Sequence, residues 1–321
     1  MNTILAKYFP EYMNFFYRIF LSFGIAVVLI VLPLSAKAQA AVIAVMPMSA
    51  IEFFTLGVEE TQNNNYEQAI KNFTQAIQLN ADFAAAYSNR CLVQIQLGDY
   101  AKATEDCTAS LLRNPENTEA YLNRGLIHYR LGNYQAAISE YNQVIERNSN
   151  DFRAYYNRGL ARFDLKDYEA AIADYNQALH NSHNRSKSSM TDIYNDRGLA
   201  QLMLENTQGA IADFSSAISL KTSNHRAFYN RACACHQKGD LSGAIRDFTI
   251  ALQLDPNHAE AYVNRGLIRH ELGYQQAALS DLKMASQRFD EQGNAIAYQQ
   301  ILALIERLQQ LLESSDEDAI A

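Results

Sequence analysis

A single six-residue pattern recurs along this chain at an almost constant interval. Ala154-Tyr155-Tyr156-Asn157-Arg158-Gly159 has near-copies at Ala86–Cys91, Ala120–Gly125, Ile193–Gly198, Ala227–Ala232 and Ala261–Gly266, and a weaker form ends at Gly57. The closing positions are 57, 91, 125, 159, 198, 232 and 266, so every gap is 34 residues except one of 39. A period of this length is the signature of a stacked repeat protein. Each repeat is too short to bury its own apolar face, and stacking supplies the missing partner surface.

Counting each repeat from two residues before the motif places its last residue at position 8 and gives seven repeats over residues 50–292. Position 4 is aromatic throughout: Phe53, Tyr87, Tyr121, Tyr155, Tyr194, Phe228 and Tyr262. Position 20 is Ala69, Ala103, Ala137, Ala171, Ala210, Ala244 and Ala278. Position 24 is mostly a large ring, as in Phe73, Tyr141, Tyr175, Phe214 and Phe248. Small residues at 8 and 20 opposite large ones at 4 and 24 describe two amphipathic helices in close contact. A turn near position 15, as in Leu97-Gly98-Asp99-Tyr100, separates them. These columns resemble the tetratricopeptide repeat (TPR) family, and the resemblance covers about three quarters of the chain. It implies an all-α fold, a right-handed superhelical solenoid of helix-turn-helix repeats whose first helices line a concave groove. Ala295–Leu312 then reads as a capping helix within residues 293–313, with Ile296, Ile301, Leu304, Ile305, Leu308, Leu311 and Leu312 on its apolar face. Residues 314–321 read as a frayed acidic tail.

The N-terminal residues follow a different pattern. Ile19–Leu34 carries no charge, Lys7 and Arg18 precede it, and Ser35-Ala36-Lys37-Ala38-Gln39-Ala40 follows with two A-x-A patterns. Residues 1–40 therefore read as a secretory signal peptide cleaved after Ala38 or Ala40, with 41–49 as a linker. The rival is an uncleaved single-pass membrane anchor, for which sixteen residues fall just under the usual span. Under either reading the repeats are extracytoplasmic, in a periplasm or equivalent lumen. Membrane contact is then limited to the N-terminal segment, and only if it is uncleaved.

Net charge is −8. Lys7, Arg18, Lys37 and Glu11 are the only charges before residue 50, so beyond them 24 basic residues face 34 acidic ones. An acidic body is poorly suited to nucleic-acid phosphate. Much of the charge looks paired: Arg90, Arg124, Arg158, Arg197, Arg231 and Arg265 occupy position 7, and Asp106, Glu140, Asp174, Asp213, Asp247 and Asp281 occupy position 23. The first repeat has Leu56 and Asn72 there, losing both charges together. Six interhelical Arg–carboxylate pairs, within or between repeats, are expected. The fourth repeat carries five extra residues, and Ser182–Ser189 is expected to be an exposed, mobile basic loop.

The resemblance places positions 2, 5, 6, 9, 12 and 13 in the groove. Position 6 is Asn89, Asn123, Asn157, Asp196, Asn230 and Asn264. An Asn column can offer donors and acceptors to an extended peptide, as in the asparagine ladder of protein-glycosylating TPR enzymes. With Tyr156, Leu126 and Leu160, these residues form the candidate binding surface for a protein or extended-peptide partner. The cytosolic chaperone-tail clamp of the family is not matched: Phe54, Val58, Asn89, Glu119 and Asn123 stand at its positions, and only Asn89 fits. Cys91 and Cys107 replace the small residue at 8 and the ring at 24 of one repeat; in an oxidising compartment they could form a disulfide if their Cα atoms lie within about 4.4–6.8 Å, and the alternative is two small buried thiols. Cys233, His236 and His270 share a groove face and make a candidate metal site, with metal delivery as the alternative function. No nucleophile elbow, phosphate-binding loop, dinucleotide fingerprint or H-E-x-x-H motif is present. The expectation is a protein-binding scaffold for an extracytoplasmic complex, with no catalytic residues and no cofactor.

Overall fold

The computed structural model describes residues 25–28, 44–181 and 187–320. Fifteen α-helices account for almost all of them. The first repeat is α1 (Ala50–Gln62) and α2 (Tyr66–Leu79), followed by α3 (Ala84–Gln96), α4 (Tyr100–Arg113), α5 (Thr118–Arg130) and α6 (Tyr134–Arg147). The next four repeats supply α7 (Phe152–Asp164), α8 (Tyr168–His180), α9 (Lys187–Met203), α10 (Thr207–Leu220), α11 (His225–Gln237), α12 (Leu241–Leu254), α13 (Ala259–Glu271) and α14 (Gln275–Glu291). The last helix, α15, runs from Ala295 to Ile320. The described residues form two compact units that divide between Leu131 and Gly132. The helix pairs give the all-α repeat fold that the TPR resemblance implies.

The reason each repeat folds this way is visible in its columns. The second helix buries Ala at position 20 and a ring, Cys or Leu at position 24 in every repeat, each at 0–1 % exposure. The position-8 glycines Gly57, Gly159 and Gly198 lie directly over the rings of their own repeats. A Cβ added at Gly159 would sit 2.6 Å from the Tyr175 ring, and one at Gly198 would sit 2.7 Å from Phe214. Side-chain caps start most of the helices; Asp99, Asn117, Asp151, Asp167, Asn206, Asn224 and Asp240 each accept a backbone N–H of the first turn. Position 15 takes the left-handed conformation in every repeat. Glycine fills it at Gly98, Gly132, Gly239 and Gly273, but Asn64, Lys166 and Glu205 adopt φ of 60°, 64° and 60°.

The last helix closes the second unit. Ile301, Ile305 and Leu308 are buried against Leu279, Leu282 and Phe289. Ile296 and Leu311, expected on the apolar face, are 76 % and 52 % exposed. The helix also continues into the acidic segment that read as frayed, reaching Ile320.

Two further differences concern connecting segments. Within the apolar N-terminal run, Ile25–Val28 is extended and pairs antiparallel with Ala44–Pro47, so part of the expected 41–49 linker is a strand. The β-branched Ile25, Val27 and Val28 suit an extended chain. The rest of the signal-peptide or anchor segment lies outside the described residues. Among the described residues no helix is long and apolar enough to cross a membrane. In the insertion, residues 182–186 lie outside the described residues, but Lys187, Ser188 and Ser189 already belong to α9. Thr191 donates its hydroxyl to the Lys187 carbonyl at 2.8 Å and steadies that extra first turn.

Candidate functional site

Five of the six expected Arg–carboxylate pairs join the two helices of one repeat. Arg90 meets Asp106 through Nε and Nη2, both at 2.7 Å. Arg158, Arg197, Arg231 and Arg265 hold Asp174, Asp213, Asp247 and Asp281 in the same forked way. Arg124 and Glu140 of the third repeat belong to different units. The remaining nitrogen, Nη1, does something the sequence reading missed. It donates to position 25 of the preceding repeat: Thr74, Asn142, Asn176, Ser215 and Thr249 for the five arginines in order. Each guanidinium also lies over the ring at position 4 of its own helix, 5.4–5.8 Å from its centroid. These arginines are therefore repeat-to-repeat bolts and not ligand groups. The hydroxyl and amide residues recurring at position 25 were the available signal.

The position-6 column is also drawn into the stack. Asn123 is buried and donates Nδ2 to the Ser88 carbonyl at 3.1 Å. Asn230 donates to Asn195 Oδ1 at 2.9 Å, and Asn264 donates to the Tyr229 hydroxyl at 3.1 Å. Asp196 accepts the Tyr156 hydroxyl at 2.7 Å. All four are the same joint, between position 5 of one repeat and position 6 of the next. Asn89 instead folds back on its own helix, to the Ala85 carbonyl. Burial pushes the Asp196 carboxyl above the ordinary carboxylate range, against the lowering effect of the Tyr156 and Asn195 hydrogen bonds. Asn157 is the exception in the column. It is half-buried, and its side chain has no hydrogen bond among the described residues. Leu126 and Leu160 are half-buried, each resting on the core of its own unit.

Cys91 and Cys107 are bonded, with Cα atoms 5.6 Å apart and both residues fully buried. The disulfide occupies the place where other repeats set a small residue against a ring.

The structure does not gather Cys233, His236 and His270 into a metal site. Burial pushes the Cys233 thiol up to about 11, which disfavours the thiolate that a metal needs. His236 faces Glu271 at 3.9 Å, and His270 Nδ1 is 2.6 Å from Gln275 Oε1. The three side chains are each engaged separately.

Comparison with known proteins bears on the family. A tetratricopeptide repeat model matches residues 92–151, 122–189 and 156–225, and a second TPR repeat model matches 57–98 and 232–273. No curated protein matches the chain. Among solved structures, a tetratricopeptide repeat protein from Parabacteroides merdae is similar at 21 % identity and a TM-score of 0.57, over 80 % of this chain and 98 % of that one. The structure of the APC/C hetero-tetramer Cut9–Hcn1 aligns at 19 % identity and a TM-score of 0.59 over 66 % of this chain, which spans only 41 % of that one. YrrB, described as a TPR protein with an unusual peptide-binding site, aligns at 22 % identity and a TM-score of 0.50 over 61 % of this chain and 97 % of its own. Family models cover more than half of the sequence, and the helix pairs follow the same repeat. The chain belongs to the tetratricopeptide repeat family.

Proposed function

We propose that this chain is an exported interaction scaffold that holds an extended segment of a partner protein against its first helices, in an extracytoplasmic complex. The observation that carries the reading is the row of half-buried first-helix side chains in the second unit: Tyr156, Asn157 and Leu160 on α7, Asp196 and Leu199 on α9, and Asn230 on α11. Positions 5, 6 and 9 share one helical face, so the row repeats at the stacking interval. Within it, the Asn157 amide keeps both a donor and an acceptor for a peptide backbone, beside the apolar Leu160. That bond contributes about 0.5–1.5 kcal/mol, so the apolar contacts of Tyr156, Leu160 and Leu199 along the row must supply most of the affinity.

Two features support export: the charge-free run Ile19–Leu34 with its basic flank, and the Cys91–Cys107 disulfide, which persists in oxidising compartments. A binding role is supported by the arginine–carboxylate groups of five repeats, which are consumed by packing.

A photo-crosslinking amino acid at Leu160 tests the reading in intact cells. A discrete partner adduct is expected there, absent when the same group replaces Leu112 on α4 and diminished by Asn157→Ala. Equal adducts from both positions would defeat it. N-terminal sequencing of the mature chain tests export: a start at residue 39 or 41 fits cleavage.

A further inference from the structure

A second site lies where the sixth and seventh repeats meet, and it is independent of the peptide-binding reading. His225 is the first residue of α11, Asp255 follows the end of α12, and His258 precedes α13. One ligand atom from each of the three lies within 4.8 Å of the others. His225 Nδ1 is 3.6 Å from Asp255 Oδ2. The Nδ1 atoms of both histidines are shielded from solvent and have no hydrogen-bond partner. Asp255 uses its other oxygen, Oδ1, to accept the Asn257 backbone N–H at 3.1 Å, which leaves Oδ2 turned to the histidines.

The ring of His258 is fixed from two sides. Tyr229 lies 4.3 Å away between centroids, and His225 meets it edge-on at 6.3 Å. Its far nitrogen, Nε2, stands 3.7 Å from Glu260 Oε2. A carboxylate beside the outer nitrogen is the usual partner of a metal-bound imidazole, because it orients the ring and raises its basicity.

His258 also breaks a local rule without local return. Where position 34 is Asn or Asp, at Asn117, Asp151 and Asn224, it caps the helix that follows, whereas His258, like Phe83, makes no side-chain cap. No other repeat sets imidazoles at both position 1 and position 34. A residue that gives up a cap and keeps a buried, unbonded ring nitrogen in a cluster with a second imidazole and a carboxylate fits ligand duty better than helix initiation.

We propose that His225, Asp255 and His258 bind one divalent transition-metal ion of the zinc class. Two imidazole nitrogens and one carboxylate oxygen supply three tetrahedral positions, and the fourth stays open to water or to a partner's side chain. The ion clamps the start of α11 to the α12–α13 turn and so closes the sixth repeat at its junction with α13.

The test is calorimetric titration of the full chain, without a histidine tag, with Zn²⁺, alongside the visible spectrum of the Co²⁺ form. One equivalent of Zn²⁺ and a tetrahedral Co²⁺ spectrum are expected. His225→Gln and His258→Gln should each weaken Zn²⁺ binding at least a hundredfold, and Glu260→Gln roughly ten- to a hundredfold. Asp255→Asn keeps the turn and should also weaken binding. The metal-free variants must match the metal-free parent in helical circular dichroism. Zn²⁺ should raise the melting temperature of the parent and leave that of His258→Gln unchanged. Cys233→Ser with His270→Ala should bind as the parent does. Absence of Zn²⁺ binding, full binding by the histidine variants, or its loss in the Cys233/His270 variant would overturn the proposal.

Discussion

Arg158 grips Asp174 across the two helices of the fourth repeat, with Nε at 3.0 Å and Nη2 at 2.6 Å from separate carboxylate oxygens. Both side chains are largely buried, at 16 % and 3 % exposure. A second arginine, Arg162, reaches the same carboxylate at 2.9 Å. Asp174→Asn therefore strands two guanidinium groups, while Asp106→Asn strands only Arg90. Losing one partner of a buried pair costs about 3–5 kcal/mol. Urea unfolding should place Asp106→Asn within that range and Asp174→Asn above it. A cost under about 1 kcal/mol for both would mean that water screens the pairs as it does on a surface.

The disulfide gives a second expectation. Cys91 and Cys107 are 16 residues apart, and a loop of that size gives about 3 kcal/mol through restriction of the unfolded chain. Adding a thiol reductant should lower the unfolding midpoint by that order. Cys91→Ala with Cys107→Ala should match the reduced protein and be insensitive to reductant. A parent protein indifferent to reductant would show that the two sulfurs carry no bond.

The left-handed position 15 predicts gains and losses of opposite sign. Lys166 and Glu205 hold φ near +60°, a conformation that costs an L side chain roughly 1–2 kcal/mol. Lys166→Gly should stabilise by about 1 kcal/mol once the greater freedom of glycine in the unfolded chain is deducted. Gly98→Ala should destabilise by a similar amount. A Cβ there meets nothing within 4 Å, so the cost is backbone strain alone. Thermal melts of the two variants decide it.

Period and packing were readable in the sequence, because stacking repeats the same demands every 34 residues. Ala at position 20 and rings at position 24 have no other reason to recur. The acid at position 23 was readable for the same reason, since it disappears together with its arginine in the first repeat. What a column does beyond its own repeat was less visible. Asn at position 6 has the same spacing whether it faces a ligand or the preceding helix, and only the placement of Ser88, Asn195 and Tyr229 at position 5 separates those roles. The His225–Asp255–His258 cluster was missed because its members sit at a helix start and a turn, outside the groove positions.

That difference between roles divides the asparagines experimentally. Asn123 is buried and bonded to the Ser88 carbonyl, so Asn123→Ala should cost about 1 kcal/mol of stability. Asn157, with no such bond among the described residues, should tolerate alanine within about 0.5 kcal/mol. Partner capture should follow the reverse order, with Asn157→Ala losing binding at unchanged stability. Equal stability losses for the two variants would place Asn157 in the stack with the others.

Asp196 is the one acid in a column of asparagines, and its position predicts a pH dependence. Burial raises its carboxyl above the ordinary range, so the folded protein takes up that proton more readily than the unfolded chain. Where the folded state binds the extra proton, stability falls as pH rises. The loss begins near the unfolded value and is complete above the raised folded value. Asp196→Asn removes the buried charge, and its amide oxygen can still accept the Tyr156 hydroxyl. The variant should be more stable than the parent at neutral pH by roughly 1 kcal/mol, the scale of burying a poorly compensated polar group. That advantage should shrink as pH falls through the raised range in which the parent carboxyl takes up its proton. Urea titrations of both proteins across this range give the difference directly. An advantage that widens toward acid would show instead that the Arg226 guanidinium, 4.0 Å away, outweighs desolvation and holds the carboxylate ionised.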